Sequence, residues 1–341
     1  MDERSVIGIE IDGDGAHPAA WRAAAHAPNT LLTAGRLREV GDRAERAGFG
    51  FVTLADVTAT APGTGVAGRF DPLTAAAFLS ATTSALGLVP VVHPAHAEPF
   101  HVSNQLSSLD HGSRGRAGWL VGTEATPARA AAHGVRHQTD PQLLAAEAED
   151  VVDATRRLWD SWQDDAIVAD ESTCRFLDAD RVHHIDFRGR TFGIRGPALM
   201  PRPPQGQVPV LAPPGVLPDR LVDVEIVAAP TEEGLRAAAA RARAPKVLAE
   251  VEVALGPDPA GVPWPVGERL RHTGSTADLV ALLGRLATVV DAVRLVPAVL
   301  DRDLPLLAEQ VLPALDLRRP APGGTLRELF DLPRPAGRYA S

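Results

Sequence analysis

Three side chains in the first hundred residues stand where proton chemistry could be done. His17, Asp56 and His93 each follow a short apolar run: "VIGIEI" (Val6 to Ile11), "FVTL" (Phe51 to Leu54) and "LGLVPVV" (Leu86 to Val92). An imidazole or carboxylate at the end of a strand can take or give a proton near neutral pH, so the three form an acid–base set. A further stretch, Ser107 to Glu124, "SSLDHGSRGRAGWLVGTE", runs from a helix end through a Gly/Arg turn into an apolar strand and stops at Gly122-Thr123-Glu124. That strand end is the candidate floor of a site.

Other reactive residue types read as structural. His93 and His96 are three apart, but Pro94 lies between them and no carboxylate–cysteine set is near, so no metal site is expected. Cys174 is the single cysteine, which excludes an intrachain disulfide and a thiolate cluster. His111 reads as a helix terminator and His183-His184 as a surface pair in a hairpin. Trp159 and Trp162, three apart on one helix, read as packing. Arg114 and Arg116 read as salt-bridging residues of a turn.

The elements that must position these residues are legible in order. Strands are expected at "VIGIEI", "FVTL", "LGLVPVV", Ala117 to Val121, "VPVLA" from Val208, "VEIVAA" from Val224, "VLAEVEVAL" from Val247 and "AVRLVPA" from Ala292. Between them come helical patterns. Leu37 to Ala47 stops at Gly48, a C-cap residue; "DPLTAAAFLSATTS" opens with Asp71 as N-cap and Pro72 at the first helical position. "EPFHVSNQLSSLD", the long Pro141 to Trp162, "TEEGLRAAAARAR", "STADLVALLGRLATVV" and "DLPLLAEQVLPAL" follow. Alternating βα units need a parallel sheet, and eight of them are the count of a closed (β/α)8 TIM barrel. No Gly-rich fingerprint follows the first strand, which argues against a dinucleotide-binding open sheet. A hairpin is expected at "VHHIDF"–"TFGI". Only "PPGVLPDRLVD" separates the fifth and sixth strands, and its three prolines leave room for little more than a helical turn.

With 341 residues and 45% hydrophobic content, the chain is expected to form one domain, residues 1–341. A net charge of −9 without acidic blocks excludes a nucleic-acid binder, which needs a basic face. No apolar run approaches the roughly 18 residues of a membrane span, and "MDERSVIGIEID" has no signal-peptide pattern, so a cytoplasmic location is expected.

Seven segments in order carry a family likeness: "GAHPAAWR", "AERAGFGFVTLAD", "DPLTAAAFLSATTSALGL", "EPFHVSNQLSSLDHGSRGRAGW", "LWDSWQDDAIVAD", "VHHIDFRGRTFGIRGPALMPRPPQGQVPVL" and "TLRELFDLPRP". Together they resemble the luciferase-like flavin-dependent monooxygenases. The subgroup is that of the two-component enzymes acting on nitrilotriacetate and dibenzothiophene sulfone. The resemblance implies a luciferase-like TIM barrel, here expected with an insertion after strand 4 (around Ala169 to Pro204) and, from the prolines after strand five, a shortened helix 5. It implies reduced flavin mononucleotide delivered by a partner reductase, oxygen, a small organic substrate and a homodimer. It puts Asp56, Trp119 and Thr123 at the cofactor and His17, Asp56 and His93 at the chemistry.

The chain departs from that family where flavin phosphate is held. Relatives read Gly-Trp-Asn, two apolar residues and Thr-Ser after the fourth strand; here Leu120 replaces the amide and Glu124 the hydroxyl. The Gly-x-Ser-x-x-Gly turn after strand five is "APPGVLPDRLVD", and the phosphate-binding tyrosine is absent, since the single tyrosine is Tyr339 in the tail. Weak flavin binding follows. Three readings stand: a monooxygenase with a degraded flavin-phosphate site, a flavin-free homologue acting as a structural or regulatory partner subunit, and a barrel repurposed for flavin-independent acid–base chemistry.

Overall fold

Eight parallel strands close on themselves in a computed structural model that describes residues 5–11, 13–56, 68–95, 97–135 and 137–340. They are β1 (Val6–Glu10), β2 (Phe51–Leu54), β3 (Gly87–Val92) and β4 (Trp119–Val121), then β5 (Val210–Ala212), β6 (Val224–Val227), β7 (Lys246–Ala254) and β8 (Ala292–Pro297). Each pairs with the next, and β8 returns to β1, with Val6 opposite Ala292 and Ile9 opposite Leu295. All eight expected strands are present and the barrel is closed.

The helices of the outer ring start and stop where local chemistry dictates. Asp71 accepts a hydrogen bond from Thr74 N, with Pro72 at the first position of helix Pro72–Thr82. Glu98 caps Pro99–Ser113 in the same way. Ala34–Ala47 ends at Gly48, whose φ of 86° is a left-handed conformation that costs glycine little. Arg116 is buried, not salt-bridged at the surface. It donates to the carbonyls of Ser80, Thr83, Leu86 and Ser113 and to the Thr83 hydroxyl, closing the ends of two helices.

Strand alternation splits the core in two. One set (Val6, Phe51, Val89, Val91, Leu120, Leu211, Val224, Ile226, Leu248, Ala292) fills the lumen, and Leu326, Leu329, Phe330 and Leu332 of the C-terminal segment plug it from the N-terminal end. The other set, including Ile7, Ile9, Val52, Trp119, Ala249 and Val293, packs against the helices. The C-terminal segment is tied in through Leu326 N to Gly115 O and Arg318 N to Ser5 O.

The insertion lies between helix Pro141–Trp159 and β5. Its end, Gln205, donates to Ala117 O at the start of β4, so the insertion covers the N-terminal face rather than the mouth. It holds the expected hairpin, Phe187–Arg188 with Gly193–Ile194, and an unexpected one, Ile167–Asp170 with Arg175–Leu177. Helix five is reduced to one 3-10 turn, Asp219–Leu221. Leu217, Leu221 and Val222 take over its core contacts, and a cavity of about 410 Å³ lined by Asp153, Arg156, Arg157 and Arg220 lies beside that turn.

One further strand was not expected. Leu270–Thr273 runs parallel to the upper half of β7, Val251 opposite Leu270 and Ala254 opposite Thr273. The lower half of β7 pairs with β6, Val224 opposite Lys246 and Val227 opposite Ala249.

Candidate active site at the barrel mouth

The strands bring Asp56 and His93 together. His93 continues the inward-facing positions of β3 and is almost fully buried. Its Nδ1 accepts from the backbone N–H of Glu124, 3.1 Å away, so Nε2 carries the proton. That proton points at Asp56 O (3.3 Å) and lies 3.7 Å from Asp56 Oδ2. Burial, and then the nearby Arg129 charge, hold the imidazolium form down and the ring neutral, against the pull of Asp56.

Arg129 completes this cluster. It sits on the short helix Pro127–Ala132, capped by Thr126, and donates to Asp56 Oδ2 at 2.9 Å, with Glu124 Oε2 at 3.9 Å. Gly122 makes the cluster possible: a Cβ there would lie 2.5 Å from the His93 ring. Three strand ends thus present two partly exposed carboxylates, one guanidinium and one neutral imidazole. The set can hold a proton or orient a polar group.

The opposite side of the mouth is filled by ions. Arg294, inward on β8, bonds Glu10 of β1, Glu250 of β7 and the Thr53 hydroxyl. Arg269 donates to Glu250 at 2.6 Å and Arg271, on the added strand, to Glu252 at 2.7 Å. Burial raises the Glu250 carboxyl, and Arg294 and then Arg269 overcome it, leaving the group below the ordinary value. None of Glu10, Arg129, Glu250, Glu252, Arg269, Arg271 or Arg294 was singled out from the sequence. The signal was there in "VLAEVEVAL": outer faces of a closed barrel go to helices, so its alternating glutamates must face the lumen.

The remaining expected residues fall elsewhere. His17 is buried apart from Asp56 and His93. Ala19 N donates to its Nδ1 and its Nε2 donates to Val262 O, both at 3.0 Å, so both ring nitrogens serve the backbone. Trp119 does not face the mouth. It points outward, donates to Val92 O and meets Trp159 edge-on at 6.5 Å in the helix layer. Thr123 is exposed just past β4. His96 lies outside the described residues. His111 contacts Pro201 O, and His183 stacks on Tyr339 at 4.0 Å, on the insertion and tail.

The segment after β5 turns back through Pro213, Pro214 and Pro218, and the N–H groups of Val216, Leu221, Val222 and Asp223 are spent on Pro213 O, Pro218 O, Asp219 O and Val210 O. Tyr339 is held by His183, and Arg129 is taken up by Asp56 and Glu124.

A family model described as luciferase-like monooxygenase matches residues 16–243. The chain belongs to the luciferase-like monooxygenase family. It is 33% identical to a subunit of the pristinamycin IIA synthase of Streptomyces pristinaespiralis over 310 residues, covering 90% of this chain and 92% of that one. It is 33% identical to the N-acetyl-S-(2-succino)cysteine monooxygenase of Bacillus subtilis (strain 168) over 203 residues, 59% of this chain and 46% of that one. Dibenzothiophene-sulfone and nitrilotriacetate monooxygenases are further relatives. The chain spans about half the length of several of the curated relatives it matches, 46% or 47% in these three cases. The EDTA monooxygenase from Chelativorans sp. BNC1 shares the fold, with a TM-score of 0.81 at 19% identity, covering 97% of this chain and 99% of that one. Among the described residues no helix is long and apolar enough to cross a membrane, and no group of three or more His, Cys, Asp or Glu could hold a metal.

Proposed function

We propose that the chain is a component of a two-component flavin-dependent monooxygenase. The oxidoreductase acts on a small organic substrate with oxygen and with reduced flavin mononucleotide supplied by a separate reductase. In this chain the flavin-phosphate site is degraded. The observation that supports this is the turn after β5: Pro213, Pro214 and Pro218 have no N–H to give, those of Val216, Leu221, Val222 and Asp223 are spent within the turn or on β5, and the helix is cut to one 3-10 turn, in a barrel otherwise built on the family plan. Phosphate bonds to charged groups contribute roughly 1.5–3 kcal/mol each, so losing several lowers affinity by orders of magnitude.

Absorbance spectra of the purified protein, titrated with oxidised and reduced flavin mononucleotide, test this. The protein is expected to be colourless, with half-saturation at tens of micromolar (about 7 kcal/mol) or weaker. Stoichiometric yellow flavin, or submicromolar affinity, overturns it.

A second reading, a partner subunit that does not itself turn over substrate, is favoured by one observation: the near end-to-end similarity is to a protein named as one subunit of a synthase. Assembly as a homodimer goes with either reading. Helices Pro72–Thr82 and Pro99–Ser113 carry one acidic residue and no Lys or Arg, and that acid, Asp110, is buried. A monomer by light scattering at micromolar concentration counts against it. Flavin-independent acid–base chemistry is the weakest reading, because both ring nitrogens of His17 and of His93 are engaged by the protein.

A further inference from the structure

We infer that this barrel admits no flavin ring, because the upper lumen is already stoppered by a ladder of ion pairs that runs from β1 through β8 and β7 to Arg269 and Arg271 at the strand Leu270–Thr273. The inference rests on the proposed function and names a second cause of low flavin affinity, separate from the phosphate turn. A ligand has to come in from above, since Leu326, Leu329, Phe330 and Leu332 fill the lower end.

The ladder runs Glu10, Arg294, Glu250, Arg269, Glu252, Arg271, each in contact with the next. It has three carboxylates and three guanidiniums, so it is neutral as a unit. Its inner members are closed to water: the side chains of Arg294, Glu250 and Glu252 are 4%, 10% and 8% exposed. Ligand pockets are mostly apolar walls with a few polar groups left over for the ligand. Here the polar groups are bonded to one another. A ring system pushed between them would leave a buried carboxylate without its cation.

The stopper is also bolted from above. The Arg271 guanidinium lies over the Trp264 indole, 3.9 Å from its centroid, and donates to Trp264 O and Pro265 O. Trp264 meets the His17 ring edge-on at 5.8 Å, and His17 holds Val262 O. His17 is therefore a positioning residue: it pins the loop after β7 to the loop after β1.

Lumiflavin, the ring system without ribityl chain or phosphate, separates this inference from the loss of phosphate anchors. The full chain is titrated with lumiflavin and with flavin mononucleotide, following flavin fluorescence. Wild type is expected to show no saturable change with lumiflavin up to about 1 mM. Glu252→Ala/Arg271→Ala removes one rung without changing net charge, and, once shown to unfold cooperatively, is expected to gain at least about tenfold in lumiflavin affinity. Saturable binding of lumiflavin to wild type overturns the inference, as does a folded double variant that gains nothing. Should the variant not fold, hydrogen exchange on wild type decides. Amides of residues 250–254 and 270–273 are expected to exchange equally with and without flavin mononucleotide, and added protection overturns the inference. Weak but saturable lumiflavin binding sinks the inference alone; tight flavin mononucleotide binding sinks the proposed function as well.

Discussion

At the lower end of the barrel, Asp110 accepts from Gln205 Nε2 at 2.6 Å and from the backbone N–H of Ala117 and Gln205, while Arg327 donates to Gln207 O and Asp223. At the upper end, Arg294, Arg269 and Arg271 bond mainly to Glu10, Glu250 and Glu252. Both ends bury ions, with different effects. Below, each ion holds backbone from segments far apart in sequence, so it fixes where the insertion and the C-terminal segment sit. Above, the ions chiefly satisfy one another, so they fill space and leave the strands to set the geometry. Buried charge at a barrel mouth is therefore not by itself a sign of catalysis.

The largest expected effect is at the upper end. Arg294→Ala takes the shared cation from Glu10 and leaves buried Glu250 with Arg269 alone, and should cost about 3–5 kcal/mol of stability by denaturant unfolding. A loss below about 1 kcal/mol would mean that the ladder is not a unit.

The two ends should also answer pH in opposite directions. Burial pushes Asp110 up to about 6 from 3.8, against the bonds from Gln205. A carboxyl raised in the folded state contributes stability below its unfolded value and loses it as pH rises through about 6, in all about 3 kcal/mol. Asp110→Asn should abolish that slope between about pH 4 and 6.5, measured against wild type. Glu250 is held low, so its contribution is present above the ordinary carboxylate value and lost as pH falls. An unchanged slope in Asp110→Asn breaks the contrast.

Two smaller effects sharpen it. Gly122→Ala drives a methyl into His93 and should cost about 1–3 kcal/mol while loosening Asp56 and Glu124, read as faster exchange at Glu124 N. Thr325→Ala removes a capping box at the lower plug and should cost about 1 kcal/mol, with the mouth unaffected.

The barrel was legible because β-branched runs, caps and glycines repeat in order, and those signals are local. Leu270–Thr273 was not, because four residues containing Arg271 and His272 read as loop until their ladder with β7 exists. Trp119 was misplaced by attending to its distance from the strand end instead of its parity. Leu120 and Val91 face the lumen, so Trp119 between Gly118 and Leu120 must face the helices. Asp56 and His93 could be placed at the barrel mouth because both end strands; Arg129 could not, because it comes from a helix six residues past β4, and nothing in its neighbours marks it.

The split pairing of β7 makes this barrel wall a two-storey one. In the lower storey the ring of strands is complete. In the upper storey β6 has ended, and β7 leans on a four-residue strip whose far edge has no strand partner among the described residues. Fraying should begin along that seam. The amides of 270–273 should be the first of the sheet to open, and Val251 to Ala254 should follow ahead of Leu248 and Ala249 on the same strand.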